Sequence, residues 1–151
     1  MIYNLYVFDR KCNCIFTEKW NRGANSSTQP PTTGSLSGTS TMPFIEEAKL
    51  IYGVIFSLRN YMSKTSLDVN PDNFISYKTD SYKLVYYQTP SFYKYCVLAG
   101  VDDDTSKLRE ILKSVHLNYI EFIHKSPLEQ LEGYISSVPF IDSINKLVKI
   151  L

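Results

Sequence analysis

The sequence carries no excess of charge of either sign. Its 16 Lys and Arg stand against 15 Asp and Glu, for a formal net charge of +1. Without a field over the whole surface, neither nucleic acid nor an anionic membrane is an expected partner, and partners must be found by shape. Cysteine is scarce: Cys12, Cys14 and Cys96 form no even disulfide framework. The N-terminus lacks a charged region followed by an apolar run and a cleavage site, so a reduced, cytosolic chain is expected. No apolar stretch approaches the ~20 residues that span a bilayer, which leaves only peripheral membrane association, or association through a partner.

Chemistry-bearing residues are equally sparse. His116 and His124 have no i+4 partner and no nearby cysteine for a metal site, and no aspartate is placed to complete a triad. Cys12 and Cys14 make half a zinc site at best and read as small apolar packing residues. Glu46 and Glu47 are adjacent on a helix and diverge by about 100°, wrong for a shared acid/base pair. The Gly34 to Gly38 stretch lacks the Lys-Ser/Thr of a phosphate loop. Asp102, Asp103 and Asp104 lack the alternating ligands, glycine and closing glutamate of a calcium loop, and are expected to cap a helix beginning near Thr105 and compensate its dipole. Twelve tyrosines and eight phenylalanines suggest base stacking only if a basic groove accompanies them, and none does. No catalytic residue, cofactor or metal is expected.

What is present is a chain of 151 residues, read as a single domain over 1–151 that buries roughly two-thirds of its unfolded surface. Ile2 to Asp9 is apolar on both alternating faces apart from Asn4, which predicts a central strand covered on both sides. A tight turn at Arg10 to Asn13 returns the chain as an edge strand from Cys14 to Trp20. The stretch 21–43 is too rich in Ser, Thr, Gly and Pro to bury anything and is expected to be a disordered loop; its Asn25-Ser26-Ser27 sequon matters only in a secreted chain. Pro43, Glu46 and Glu47 are helix-start signals for a helix running to about Ser63. Asn70-Pro71-Asp72 reads as a turn, followed by strands near Phe74–Thr79, Tyr82–Thr89 and Phe92–Ala99, the last the most apolar and so the most central.

The next helix shows a clear helical period through Leu108, Ile111, Leu112, Val115, Tyr119, Phe122 and Ile123, and Pro127 ends it. A final helix from about Pro139 to Ile150 turns Phe140, Ile144, Leu147 and Val148 inward. The order β-β-α-β-β-β-α-α predicts an α+β fold, a five-stranded antiparallel sheet with helices on both faces.

The long helix organises the rest. Over EEAKLIYGVIFSLR, from Glu46 to Arg59, Leu50, Val54 and Tyr61 form one stripe and Ile51, Ile55, Leu58 and Met62 the stripe beside it, together the expected core face. Tyr52 and Phe56 fall outside it, on surface shared with Lys49, Asn60 and Arg59. Two aromatics among cations suggest a second, partner-facing contact, but an apolar stripe is more often core than contact, so helical geometry alone ranks a helix wedged deep between two layers first.

That helix, with the opening LYVFDRKCNCIFTEKW and, further on, FISYKTDSYKLVYYQTPSFYKYCVL, resembles the small longin-type, sybindin-like subunits of the TRAPP complex. The resemblance covers most of the chain apart from the 21–43 loop. It implies a longin, or SNARE-like, arrangement and a place in a hetero-oligomer that tethers vesicles and acts as guanine-nucleotide exchange factor for a Ypt/Rab-type GTPase between endoplasmic reticulum and cis-Golgi. On that resemblance the chain is non-catalytic alone, and its partner surface would lie on Lys49, Tyr52, Gly53, Phe56 and Arg59. Gly53 would admit a neighbouring backbone, the aromatics would be buried anchors, and Arg59 would pair with a carboxylate. Arg10 would fix its turn or reach a neighbour, and Asp9 would hold the turn. Thr89-Pro90-Ser91-Phe92 departs from the Thr-Gly-type turn usual in the family, which leaves its geometry open. The alternatives are a small longin-type subunit of a vesicle coat adaptor, the folded domain of a SNARE, whose coiled coil and anchor are not seen, and a free-standing module of profilin type.

Overall fold

Apolar side chains on both faces of Ile2–Phe8 make this segment, β1, an interior strand. It pairs antiparallel with β2 (Cys14–Lys19) on one side and with β5 (Lys94–Ala99) on the other, with Leu5 opposite Glu18 and Val97. The computed structural model describes residues 1–20, 43–65, 76–126 and 134–150. Beyond β5 the sheet continues through β4 (Lys83–Gln88) to the short edge strand β3 (Ser76–Lys78), giving the order β2-β1-β5-β4-β3, antiparallel throughout. All six residues of β5 are buried, so the most apolar strand is the middle one, as its composition predicts. Of the expected loop over 21–43, Pro43 opens the first long helix, while residues 21–42, the Asn70-Pro71-Asp72 turn and Pro127 lie outside the described residues.

One face of the sheet is covered by α1 (Pro43–Thr65), which packs on Tyr6, Phe8, Leu84, Tyr86, Cys96 and Leu98. The other is covered by α2 (Thr105–Tyr119), a π-helical turn (Ile120–His124) and α3 (Val138–Lys149). Here Leu108, Leu112, Val115 and Tyr119 meet Val7, Phe16, Tyr95 and Val97, with Phe140 and Ile144 of α3 closing the cluster. Helices on both faces and a five-stranded sheet are the α+β fold that the sequence predicts. The β2 edge is partly paired: Ile135 N–H donates to the Ile15 carbonyl at 2.7 Å, and the Trp20 indole donates to Asn145 of α3 at 2.9 Å.

Two of the three aspartates make distinct contacts. Asp104 caps α2 by accepting from Ser106 N–H at 3.0 Å, as expected. Asp103 pairs instead with the N-terminal amine and accepts from Gly100 N–H at 3.0 Å, while its carbonyl takes the Lys83 ammonium. These bonds tie the chain start and β4 to the head of α2.

Both hairpins flanking the central pair end in one kind of turn. Asp9 N–H donates to Asn13 O, Cys12 N–H to Asp9 O, and Asn13 N–H to Asp9 Oδ1 at 2.9 Å, so Asp9 does hold its turn. Thr89, Phe92 and Tyr93 repeat the pattern, with Thr89 Oγ1 accepting from Tyr93 N–H at 3.1 Å. The fourth residue of each turn is left-handed: Cys12 at φ 67° and Phe92 at φ 68°. Glycine is the residue this slot suits, because it has no Cβ to crowd the carbonyl. Phe92→Gly is therefore expected to stabilise the fold by about 0.5–1 kcal/mol. A lower urea midpoint in the variant would show that the ring contributes more than the backbone strain removes.

His116 is satisfied rather than idle. Its Nδ1 shares a hydrogen bond with the hydroxyl of buried Tyr95 at 2.8 Å, and burial, then the neighbouring His124, hold it below the usual histidine range. A histidine lowered in the fold binds a proton more readily when unfolded. Stability from this group is therefore untouched above about pH 6.5 and falls as the pH drops below it. His116→Gln should flatten the loss of stability between about pH 7 and 5.5 relative to the parent chain. Parallel slopes in denaturant titrations of the two proteins would exclude His116 as its source.

Candidate partner-binding face

The head of α1 is fixed over β1 and β2 by one carboxylate. Glu47 accepts from the Tyr6 hydroxyl at 2.8 Å and from Asn4 Nδ2 at 3.4 Å, and it pairs with Lys19. Burial, then the Glu47 bond, push the Tyr6 hydroxyl well above the usual tyrosine range, so it remains a donor. From there Ala48, Ile51, Tyr52, Ile55 and Leu58 face the sheet at a helical spacing.

This phase corrects the expectation from periodicity. Leu50, Val54 and Tyr61, expected in the core, face solvent, with Leu50 73% and Tyr61 65% exposed. Met62 is exposed as well. The helix sits rotated by roughly 60° about its axis from the expected phase, at 100° per residue. The cause is Tyr52. Its ring packs on Phe8 with centroids 5.5 Å apart, and its hydroxyl donates to Cys12 Sγ at 2.9 Å. Burial, then the Cys12 bond, raise that hydroxyl to about 12. Arg59 also turns to the sheet, donating to the Tyr86 hydroxyl at 3.3 Å with its guanidinium 5.6 Å over the ring.

The outward surface of α1 is thus built from other residues. Leu50, Val54 and Tyr61 form one apolar ridge. Phe56, stacked on Tyr52 at 6.2 Å yet 54% exposed, forms a second ridge flanked by Lys49 and Asn60. Gly53 and Ser57 lie between the ridges as a shallow trough, and a Cβ at Gly53 would meet nothing within 4 Å. Apolar ridges about a bare stretch of backbone, with cations at the border, have the make-up of a protein contact rather than of a reaction centre.

The model of the Sybindin-like family matches residues 2–151. The chain belongs to that family. It is 32% identical to trafficking protein particle complex subunit 1 of Rattus norvegicus, over 94% of this chain and 97% of that protein. It is 30% identical to the Dictyostelium discoideum protein of the same name, over 99% and 95%. Against transport protein particle subunit bet5 of Schizosaccharomyces pombe the identity is 36%, over 84% and 78%.

In this sybindin-like chain the six residues marked out by sequence separate into three groups. Lys49, Gly53 and Phe56 stand together on the outer face of α1. Tyr52 and Arg59 support that face from beneath, holding α1 to β1 and β4. Arg10 lies apart, its guanidinium 5.6 Å over the Tyr93 ring on the α2 side of the sheet. Leu50, Val54 and Tyr61 join the face although periodicity assigned them inward. The signal that could have found them is their number: α1 carries more apolar residues than one sheet face can cover. Among the described residues, no helix is long and apolar enough to cross a membrane.

Proposed function

We propose that this chain is a non-catalytic core subunit of a TRAPP-type assembly, and that the outer face of α1 seats another subunit of that assembly. The supporting observation is the exposed Leu50–Val54–Tyr61 ridge on a chain aligned nearly end to end with proteins named as complex subunits. Its 151 residues act as one longin-like domain. The whole assembly serves as tether and guanine-nucleotide exchange factor for a Ypt/Rab-type GTPase in endoplasmic-reticulum-to-Golgi transport. The chain works on the cytoplasmic side of those membranes and reaches them peripherally, through the complex.

The mechanism asked of this chain is positional. A rigid sheet holds α1 through Glu47, Tyr52 and Arg59, so the outer ridges are presented without a conformational search, and ordering costs on association stay small. Nucleotide release belongs to the composite surface.

The test is co-purification of the tagged chain from its own cells at physiological salt, followed by GDP release from Ypt/Rab-type GTPases. A multisubunit eluate that accelerates release, when the isolated chain does not, supports the proposal. A chain that elutes alone, or with a coat complex lacking exchange activity, overturns it.

A further inference from the structure

The two left-handed turn residues differ in what their side chains do. Cys12 uses the slot internally, its sulfur receiving the Tyr52 hydroxyl. Phe92 is 60% exposed at a hairpin tip, so its ring faces outward from a backbone conformation that would favour glycine. Strained positions persist where the surrounding structure over-determines them, and here it does. Buried Lys94 donates its ammonium to the Phe92 carbonyl at 3.1 Å, and the Thr89 and Ser91 hydroxyls are bonded at 2.8 Å.

The register places this tip. Phe8 lies opposite Lys94 in the antiparallel β1–β5 pair, so both hairpins turn at the same end of the sheet. Exposed Arg10 and Lys11 occupy the first tip, and Arg10 reaches over Tyr93, the residue after Phe92. His124 sets its ring edge-on to Tyr93, and exposed Lys125 follows it. Among the described residues, the carboxylates on these segments are Asp9, whose oxygen is tied to Asn13 N–H within the turn, and exposed Glu121 on the π-helical turn. An exposed ring at a hairpin tip, with Arg10, Lys11 and Lys125 at the same end of the sheet, has the chemistry of an interfacial anchor: the ring enters the acyl boundary and the cations meet phosphate.

We propose that Phe92, with Arg10, Lys11 and Lys125, forms a lipid-contacting tip that docks this end of the sheet onto an anionic phospholipid surface. A single ring and three cations give weak binding, so the tip adds a direct contact to the attachment that the proposed assembly provides and does not replace it. This local patch coexists with a chain that is nearly neutral overall.

The test uses the full chain with vesicles of phosphatidylcholine alone and with roughly one-third phosphatidylserine, at low and physiological salt. Binding should require the anionic lipid and weaken with salt. Phe92→Gly, which relaxes the backbone, should bind about fivefold to tenfold more weakly while remaining folded, and Lys11→Glu should weaken binding by a similar factor. Phe92→Trp should show emission shifted to the blue on anionic vesicles, a change that a purely structural role would not produce. The proposal is overturned by equal binding of the parent chain and Phe92→Gly, or by no anionic preference. It is equally overturned if Phe92→Gly leaves vesicle binding intact and abolishes co-purification of protein partners, because the tip would then be a protein anchor.

Discussion

Phe140→Ala is expected to lower the unfolding free energy by about 3–5 kcal/mol, the range for removing a fully buried aromatic ring. Phe140 is completely buried in the first turn of α3. Its ring meets Phe16 of β2 edge-on at 5.1 Å and Tyr119 of α2 at 6.3 Å. One side chain therefore joins an edge strand, the second helix and the third. The void has rigid walls: Tyr119 is held by Tyr93 at 5.2 Å and His124 at 5.5 Å, so little of it can collapse. For a domain whose total stability is of order 5–15 kcal/mol, such a loss is roughly a fifth or more of the total. Urea denaturation should show a lower midpoint with an unchanged slope. A loss below about 1 kcal/mol would mean that α3 contributes little to the cooperative unit.

Much of this fold was legible because local and global preferences agree. The two-sided apolar pattern of Ile2 to Asp9 demanded an interior strand, the run Phe92 to Ala99 a central one, and the spacing from Leu108 to Ile123 a helix, and the strands form over Ile2–Phe8 and Lys94–Ala99. Asp104 and Asp9 were readable because capping and turn-holding are local chemistry, completed within four residues. The phase of α1 was not, since it depends on Phe8, Cys12 and Tyr86, which lie distant in sequence and recruit Tyr52 and Arg59 inward. An apolar residue carries no mark that says which neighbour it will meet. Asp103 escaped for the same reason, its partners being the N-terminal amine and Lys83. The turn at Phe92 was open because its sequence avoids the glycine that its backbone favours. Places where local preference loses are where function or long-range packing is to be sought.

Leu50→Glu combined with Val54→Glu is expected to abolish partner capture while leaving the fold intact. Both side chains point away from the sheet, and glutamate is a good helix former, so the thermal midpoint should stay close to that of the parent chain. At a docked α1 face, however, two carboxylates would be buried against apolar atoms without partners, which is far costlier than losing two contacts. If each residue lies at the centre of the contact and is worth about 2 kcal/mol, affinity falls by roughly a thousandfold, and co-purification with other subunits disappears. Ile55→Glu supplies the contrast: it is one residue from Val54 but buried against the sheet, so it should lose the cooperative transition itself. The pair separates docking from folding on a single helix. Undiminished capture by the Leu50, Val54 double variant would remove this face from the assembly and leave its exposed ridge without a partner. A collapsed transition in that variant would instead restore the phase that periodicity predicts, with Leu50 and Val54 in the core.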